Sequence, residues 1–201
     1  MQTKLFEYDP SIGEEVREKL DTLVSNIKCC DKCKYSNTRN LAVPGEGDIT
    51  SDVYIVGECP GPDEDASGRP FVGRAGKLLR EVLIAVGTDF SKVYITNIVR
   101  CKPSRALNPD MESVRICSKW LTKQLDLVRP SIILSVGRFS SAYFLKTKPE
   151  KVRITKNSGK HLIVDGINVF PVLHPSYVLR ATNQMTEDKY IEHFFNFMRF
   201  L

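Results

Sequence analysis

Between Ser11 and Ile27 the apolar residues fall at Ile12, Val16, Leu20, Leu23, Val24 and Ile27. That spacing predicts an amphipathic helix, with Ser11 and Glu14 able to form a capping box. Asp52 to Val56 (DVYIV) is instead a short, mostly apolar run ending at Gly57, as a buried strand does. Gly73 to Val86, with Leu78, Leu79, Val82, Leu83 and Val86, returns to helical spacing and stops at Gly87. Val93 to Val99 predicts a second strand, Asp110 to Leu127 a helix, Ser131 to Val136 a third strand and Arg138 to Leu145 a short helix. His161 to Val164 and Ile167 to Val172 flank Asp165-Gly166, a strong hairpin signal. Thr186 to Leu201 predicts a closing helix bearing Tyr190, Phe194, Phe195, Phe197 and Phe200. Strands alternating with helices imply an α/β fold, a parallel sheet covered on both faces whose ligands bind where strands end and loops begin.

The 201 residues suit one compact domain, 1–201, with residues 1–10 as a tail. At 42% hydrophobic and 26% charged, the chain is neither disordered nor collagen-like. No run approaches the ~20 apolar residues of a membrane span, and MQTKLFEYDP does not resemble a signal peptide. A cytoplasmic, intracellular location in a reducing compartment is therefore expected. The net charge of +5 is unevenly spread: Thr96 to Arg180 holds 15 Lys or Arg against 5 Asp or Glu, a balance of +10, and the remainder balances at −5. The densest stretch, Lys146 to Lys160, suits a surface that meets a polyanion, and equally a solvated lysine-rich loop.

Three loops follow strands and share a topological address: Gly57-Glu58-Cys59-Pro60-Gly61, Asn97 to Cys101, and His174-Pro175-Ser176. Between them Gly68 to Gly76 is a glycine-rich turn opening a helix, which matches neither the P-loop nor the dinucleotide fingerprint. Six cysteines stand at positions 29, 30, 33, 59, 101 and 117. In a reducing compartment thiolate ligation is a better expectation than disulfides. Cys30-x2-Cys33 is a metal-type pair, whereas Cys101 and Cys117 do not repeat it, which argues against a zinc ribbon. On chemistry alone four thiolates suit zinc or a [4Fe–4S] cluster, and buried inert thiols are a third possibility.

Taken together, Gly57 to Gly61 with Glu64-Asp65, Gly68-Arg69-Pro70-Phe71-Val72-Gly73-Arg74-Ala75-Gly76-Lys77-Leu78-Leu79, Thr96 to Pro103, and His174-Pro175-Ser176 resemble the thermostable-type, iron–sulfur, family 4 uracil-DNA glycosylases. The resemblance runs from about Cys30 to Arg180. It implies a three-layer α/β/α sandwich with a central four-stranded parallel sheet. It also implies a [4Fe–4S] cluster on Cys30, Cys33, Cys101 and Cys117, structural in role. The implied activity is flipping uracil out of single- or double-stranded DNA and hydrolysing its glycosidic bond, leaving an abasic site for base excision repair. Phe71 would stack on the flipped base. Asn97 would donate to uracil O4 and accept from N3–H, a pattern that cytosine reverses. His174 would stabilise charge on O2. Cys59 holds the position where other branches carry a water-positioning aspartate and this family a small apolar residue. Its thiol, ordinarily protonated at neutral pH, does not restore a base, and Cys59 would instead be a small filler whose backbone helps line the uracil pocket. Glu58 is the candidate for orienting water, with Glu64 and Asp65 as supports; capping of the following turn is its structural alternative. Tyr177, Val178, Leu179 and Arg180 would enter the minor groove, Val178 or Leu179 as wedge and Arg180 on a phosphate. Members with covalent chemistry carry a histidine-containing insertion after the third cysteine; Lys102 to Asn108 has no histidine, which favours hydrolysis.

Two competing functions are a noncatalytic uracil- or DNA-binding module of the same fold and an iron–sulfur redox protein. The second leaves Phe71, Asn97 and the His174 loop without a purpose. A monomer is expected. Gln2 to Tyr8 partly resembles a sliding-clamp-binding peptide, with Asp9 where a second aromatic is usual.

Overall fold

A computed structural model of the chain describes residues 10–104, 108–180 and 187–201. The clamp-peptide segment, residues 2–8, lies outside them, as do Arg105 to Leu107, Thr186 and the Ser11 side chain. The strands are β1 (Glu46–Gly47), β2 (Val53–Gly57), β3 (Tyr94–Asn97), β4 (Ile132–Val136), β5 (Leu162–Val164) and β6 (Ile167–Val172). The helices are α1 (Pro10–Lys28), α2 (Pro62–Ser67), α3 (Arg74–Ala85), α4 (Met111–Val128), α5 (Arg138–Phe144), α6 (Ile154–Asn157), α7 (Pro175–Val178), α8 (Glu187–Glu192) and α9 (Phe195–Met198).

The strands form one sheet in the order β1-β3-β2-β4-β6-β5. The expected four parallel strands are its centre, β3-β2-β4-β6. The expected hairpin adds β5 antiparallel at one edge, and β1, which the pattern did not predict, pairs antiparallel with β3 at the other. The β5–β6 hairpin turns on Asp165 (φ 51°) and Gly166 (φ 83°), the two positive φ values that a tight primed turn requires.

Side-chain alternation along the strands separates two apolar layers. Tyr54 and Val56 of β2, Tyr94 of β3 and Ile133 of β4 pack with Leu20, Ile27, Trp120, Leu121 and Phe144 from α1, α4 and α5. Ile55, Ile95, Leu134 and Val136 face the other way, toward Leu79, Leu83, Tyr190, Phe194 and Phe197 from α3, α8, α9 and the turn between them. This is the three-layer arrangement that the resemblance implies.

The closing helix is not continuous: α8 and α9 are separated at His193-Phe194. Tertiary bonds account for the break. His193 Nδ1 meets Ser158 Oγ at 2.5 Å, and Asn196 Nδ2 donates to Gly159 O at 2.6 Å, tying this stretch to one loop. Among the described residues no helix is long and apolar enough to cross a membrane.

Candidate active site and thiol centre

The parallel register sets the candidate residues side by side. Gly57 pairs with Asn97, and Val136 with Val172, so the chain leaves β2, β3, β4 and β6 along one edge of the sheet. There a cavity of about 390 Å³ opens, lined among others by Glu58, Cys59, Phe71, Asn97, His174 and Arg180. Three loops far apart in sequence thus share one pocket, of the size typical of small-molecule sites, ~300–1,000 Å³.

Asn97 is 3% exposed and Phe71 5%. Gly57 makes room for both: a Cβ there would lie 2.4 Å from Asn97 Oδ1 and 2.4 Å from Phe71 Cζ. Phe71 adopts φ 54°, an uncommon conformation for a bulky residue that surrounding structure must hold. The hold is visible on every side. Arg80 donates from Nε to Phe71 O and from Nη2 to Pro70 O, each at 3.0 Å. Gly76 approaches so closely that a Cβ would stand 2.1 Å from the Phe71 carbonyl carbon. Glu64 Oε1 accepts from Val72 N at 2.9 Å and Gly73 N at 2.8 Å, while its Oε2 accepts from Gly61 N at 2.9 Å.

Glu64 is therefore a buried latch between two loops, and Asp65 serves Asn40, accepting from its N at 3.0 Å and its Nδ2 at 2.9 Å. Both carboxylates are committed to backbone and amide partners, unlike the water-supporting role expected of them. The segment carrying them is α2, which the pattern reading missed. Pro62 at its start and the left-handed Gly68 (φ 72°) at its end are the available signal.

Glu58 lines the cavity at 8% exposure, and its Oε1 accepts from Phe139 N at 2.9 Å, in the first turn of α5. It caps this distant helix rather than the turn that follows it. Gly137 (φ 95°) allows the approach, since a Cβ there would stand 2.5 Å from Glu58 Oε1. Burial raises the Glu58 pKa above the ordinary carboxylate range, opposed by the Phe139 and Arg138 amides and the Arg138 charge. Cys59, also at the cavity, has its thiol pushed up by burial and by Glu58 and Glu64, so it is held protonated.

His174 Nδ1 accepts from Ser176 N at 3.2 Å and lies 2.8 Å from Ser176 Oγ. A backbone N–H can only donate, so the neutral ring carries its proton on Nε2. Burial, reinforced by the Arg180 charge, lowers the His174 pKa to about 4. The ring stands 6.5 Å, centroid to centroid, from Phe71. Ser176 is thus a positioning residue that sequence reading passed over, although it sits inside a motif already singled out.

The four residues after Ser176 divide. Val178 is 7% exposed and packs in the core, Leu179 is 42% exposed, Tyr177 is half-buried, and Arg180 is exposed beside the cavity. Val178 is therefore withdrawn from the surface on which it was expected. The basic stretch divides likewise: Lys146, Lys148 and Lys151 line a second groove, of about 400 Å³, with Met111 and Phe139.

The cysteines sort by depth. Cys101 and Cys117 are buried, Cys30 and Cys33 half-buried against the same core cluster, and Cys29 exposed. N–H groups point at three of the candidate ligand sulfurs: Trp120 Nε1 to Cys30 at 3.4 Å, Arg39 Nη1 to Cys101 at 3.1 Å and Arg100 N to Cys117 at 3.2 Å. Donors aimed at several sulfurs suit electron-rich thiolates better than inert thiols. Among the described residues no three metal-binding side chains gather as one ion would require.

The chain's similarities agree with this geometry. A family model described as "Uracil DNA glycosylase superfamily" matches residues 44–199. The "Type-4 uracil-DNA glycosylase" of Thermotoga maritima is 40% identical over 82% of this chain and 85% of the relative. That of Saccharolobus solfataricus is 38% identical over 81% and 78%. A "Type-5 uracil-DNA glycosylase" from Pyrobaculum aerophilum is 28% identical over 75% and 72%.

Proposed function

The chain belongs to the uracil DNA glycosylase superfamily, among the type-4 enzymes, and from that premise we propose that it excises uracil from DNA by hydrolysing the bond between base N1 and sugar C1′. The observation that carries the reading is the single cavity shared by Glu58, Phe71, Asn97 and His174.

Inside a duplex that bond is inaccessible, so the nucleotide leaves the stack at a cost of a few kcal/mol. Phe71 returns part of this by stacking on the base, about 1–3 kcal/mol. Leu179, the exposed apolar residue of its loop, fills the vacated space, and Arg180 meets a backbone phosphate. Asn97 donates its amide N–H to uracil O4 and accepts the N3–H. Cytosine presents the opposite pattern and would leave buried groups unpaired, a penalty large enough for ~10⁴-fold rejection.

As the glycosidic bond lengthens, negative charge gathers on uracil O2 and positive charge on the sugar. The Nε2–H of His174, neutral at physiological pH, donates to O2 without a proton transfer. Glu58, deprotonated, faces the cationic sugar and orients the water that adds to C1′, taking its proton. Cys59 contributes wall and backbone only.

Cys30, Cys33, Cys101 and Cys117 are the residues that would hold a [4Fe–4S] cluster. Four irons accept thiolates set further apart than one tetrahedral ion does. Such a cluster would supply a covalent tie among the end of α1, the loop leaving β3 and helix α4, with no part in bond breaking. The ligand Cys101 lies four residues beyond Asn97, so this tie would steady the residue that reads the base.

The test is to incubate the protein with single-stranded and duplex oligonucleotides carrying one uracil, then to cleave abasic sites with alkali. Strand scission at uracil alone is expected, with Asn97→Asp losing the preference for uracil over cytosine. No scission on either substrate, or a variant with unchanged selectivity, overturns the reading.

A further inference from the structure

Arg100 is among the largest side chains removed from solvent, at 1% exposure. Among the described residues its guanidinium meets only neutral acceptors: Nη1 donates to Pro44 O at 2.7 Å and Nη2 to Gln124 Oε1, while Nε has no partner there. Pro44 O is already shared, accepting from Tyr94 Oη and Thr96 Oγ1 at 2.9 Å each. Among the described residues no carboxylate forms an ion pair with Arg100. A guanidinium stays charged in a protein, and a buried charge without a counter-charge is strongly destabilising.

Among the described residues five groups feel its charge and can carry negative charge themselves: Tyr54, Tyr94, Tyr143, Cys101 and Cys117. All three phenols are using their protons, Tyr54 toward Ile49 O at 2.6 Å, Tyr94 toward Pro44 O, and Tyr143 toward Thr122 Oγ1 at 2.9 Å, whose own proton goes to Ser118 O. They are neutral donors. That leaves the two thiols, and the backbone N–H of Arg100 already donates to Cys117 Sγ. A neutral thiol supplies no counter-charge, whereas a metal-bound thiolate is deprotonated outright.

We propose that Arg100 is the internal counter-ion of the four-cysteine centre: its buried cation neutralises the thiolate-rich cluster from the core side and sets its reduction potential. The inference rests on the cluster reading above. It extends that reading by assigning a charge partner outside the ligands, one hydrogen-bonded to Pro44 and Gln124 so that it cannot turn away. A positive charge stabilises the reduced, more negative form of a cluster, so removing it lowers the potential. Gln124→Glu, which sets a carboxylate against the same guanidinium, satisfies Arg100 when the cluster is absent.

The experiment compares the purified holoprotein with Arg100→Met, Arg100→Lys and Gln124→Glu, reading iron per chain, reduction potential and melting temperature before and after chelation. Iron in the wild type is read first; its absence overturns the cluster reading itself, before any variant is considered. With iron present, Arg100→Met is expected to lose iron or to shift the oxidised-to-reduced balance tenfold or more, about 59 mV for one electron. Arg100→Lys, which keeps the charge, holds the potential within that margin. Gln124→Glu melts higher than wild type after chelation, and this arm decides the matter if Arg100→Met does not fold. Unchanged iron and potential in Arg100→Met would overturn the proposal. So would equal losses in the Met and Lys variants, or a chelated Gln124→Glu protein no more stable than chelated wild type.

Discussion

Glu58 and His174 share a cavity, and burial moves their titrations in opposite directions, because it disfavours a carboxylate and an imidazolium alike. The Glu58 pKa is raised, so its working carboxylate is lost as pH falls through a value above the ordinary range. His174, at about 4, is neutral throughout that interval. The acid limb of kcat is therefore expected to report Glu58, with an apparent pKa above the unperturbed 4.5. Glu58→Gln should flatten the limb and slow turnover by about 10²–10⁴-fold. A limb that persists in Glu58→Gln would remove Glu58 from the water-orienting role. Stability follows the opposite arithmetic. Between 6.5 and about 4 the unfolded chain protonates His174 before the folded one does, so that residue's contribution is lost as pH falls across the window. Glu58 binds its proton more tightly when folded, so its contribution rises as pH falls through the interval above 4.5.

The loop and short helix after β6 show how an element apportions work among neighbouring residues. His174 caps α7 through its own side chain, which fixes the ring and starts the helix in one contact. One turn later the helix buries Val178 against the core and turns Leu179 outward. Leu179→Ala is expected to slow excision from duplex by about tenfold or more, since filling the gap offsets an unstacking cost of a few kcal/mol. Single strands, with less stacking to replace, should lose little, and melting should not move. Val178→Ala should do the reverse, costing on the order of 2 kcal/mol of stability. Rates on duplex and single-stranded uracil substrates, set beside thermal melting, separate the two, and equal behaviour of both variants would refute the division. The glycines act at the same scale: Gly57 and Gly137 let loops approach Asn97, Phe71 and Glu58 more closely than any side chain permits.

Across the whole molecule, charge is segregated along the chain, and the segment from Thr96 to Arg180 carries the surplus of +10. That segment supplies Asn97, His174 and Arg180 to the cavity. Binding to DNA should weaken linearly in log affinity against log salt, with a slope of about −3 or steeper for a handful of phosphate contacts. Fluorescence anisotropy on an oligonucleotide across salt concentrations measures it. A flat response would mean that the basic segment faces away from DNA.

Local pattern was enough for much of this. The apolar run of β4, buried on both faces, the alternation of strands with helices and the Asp165-Gly166 turn are encoded within a few residues each, so the parallel core and its hairpin were legible. The motifs after the strands marked the cavity for the same reason, because strand ends in such a sheet share one edge. What the sequence could not disclose depends on partners far along the chain. Glu58 finds its amide donor 81 residues away, and the break between α8 and α9 answers to a loop 35 residues distant. Val178 and Leu179 have similar side chains, and only the docking of α7 decided which is buried. Cysteine spacing suggested a metal pair, but the burial of the Arg100 guanidinium against Pro44 and Gln124 became visible only once the loop leaving β3, α4 and the Pro44 loop had packed together. Propensity and periodicity act between neighbours; desolvation acts on whatever the finished fold encloses.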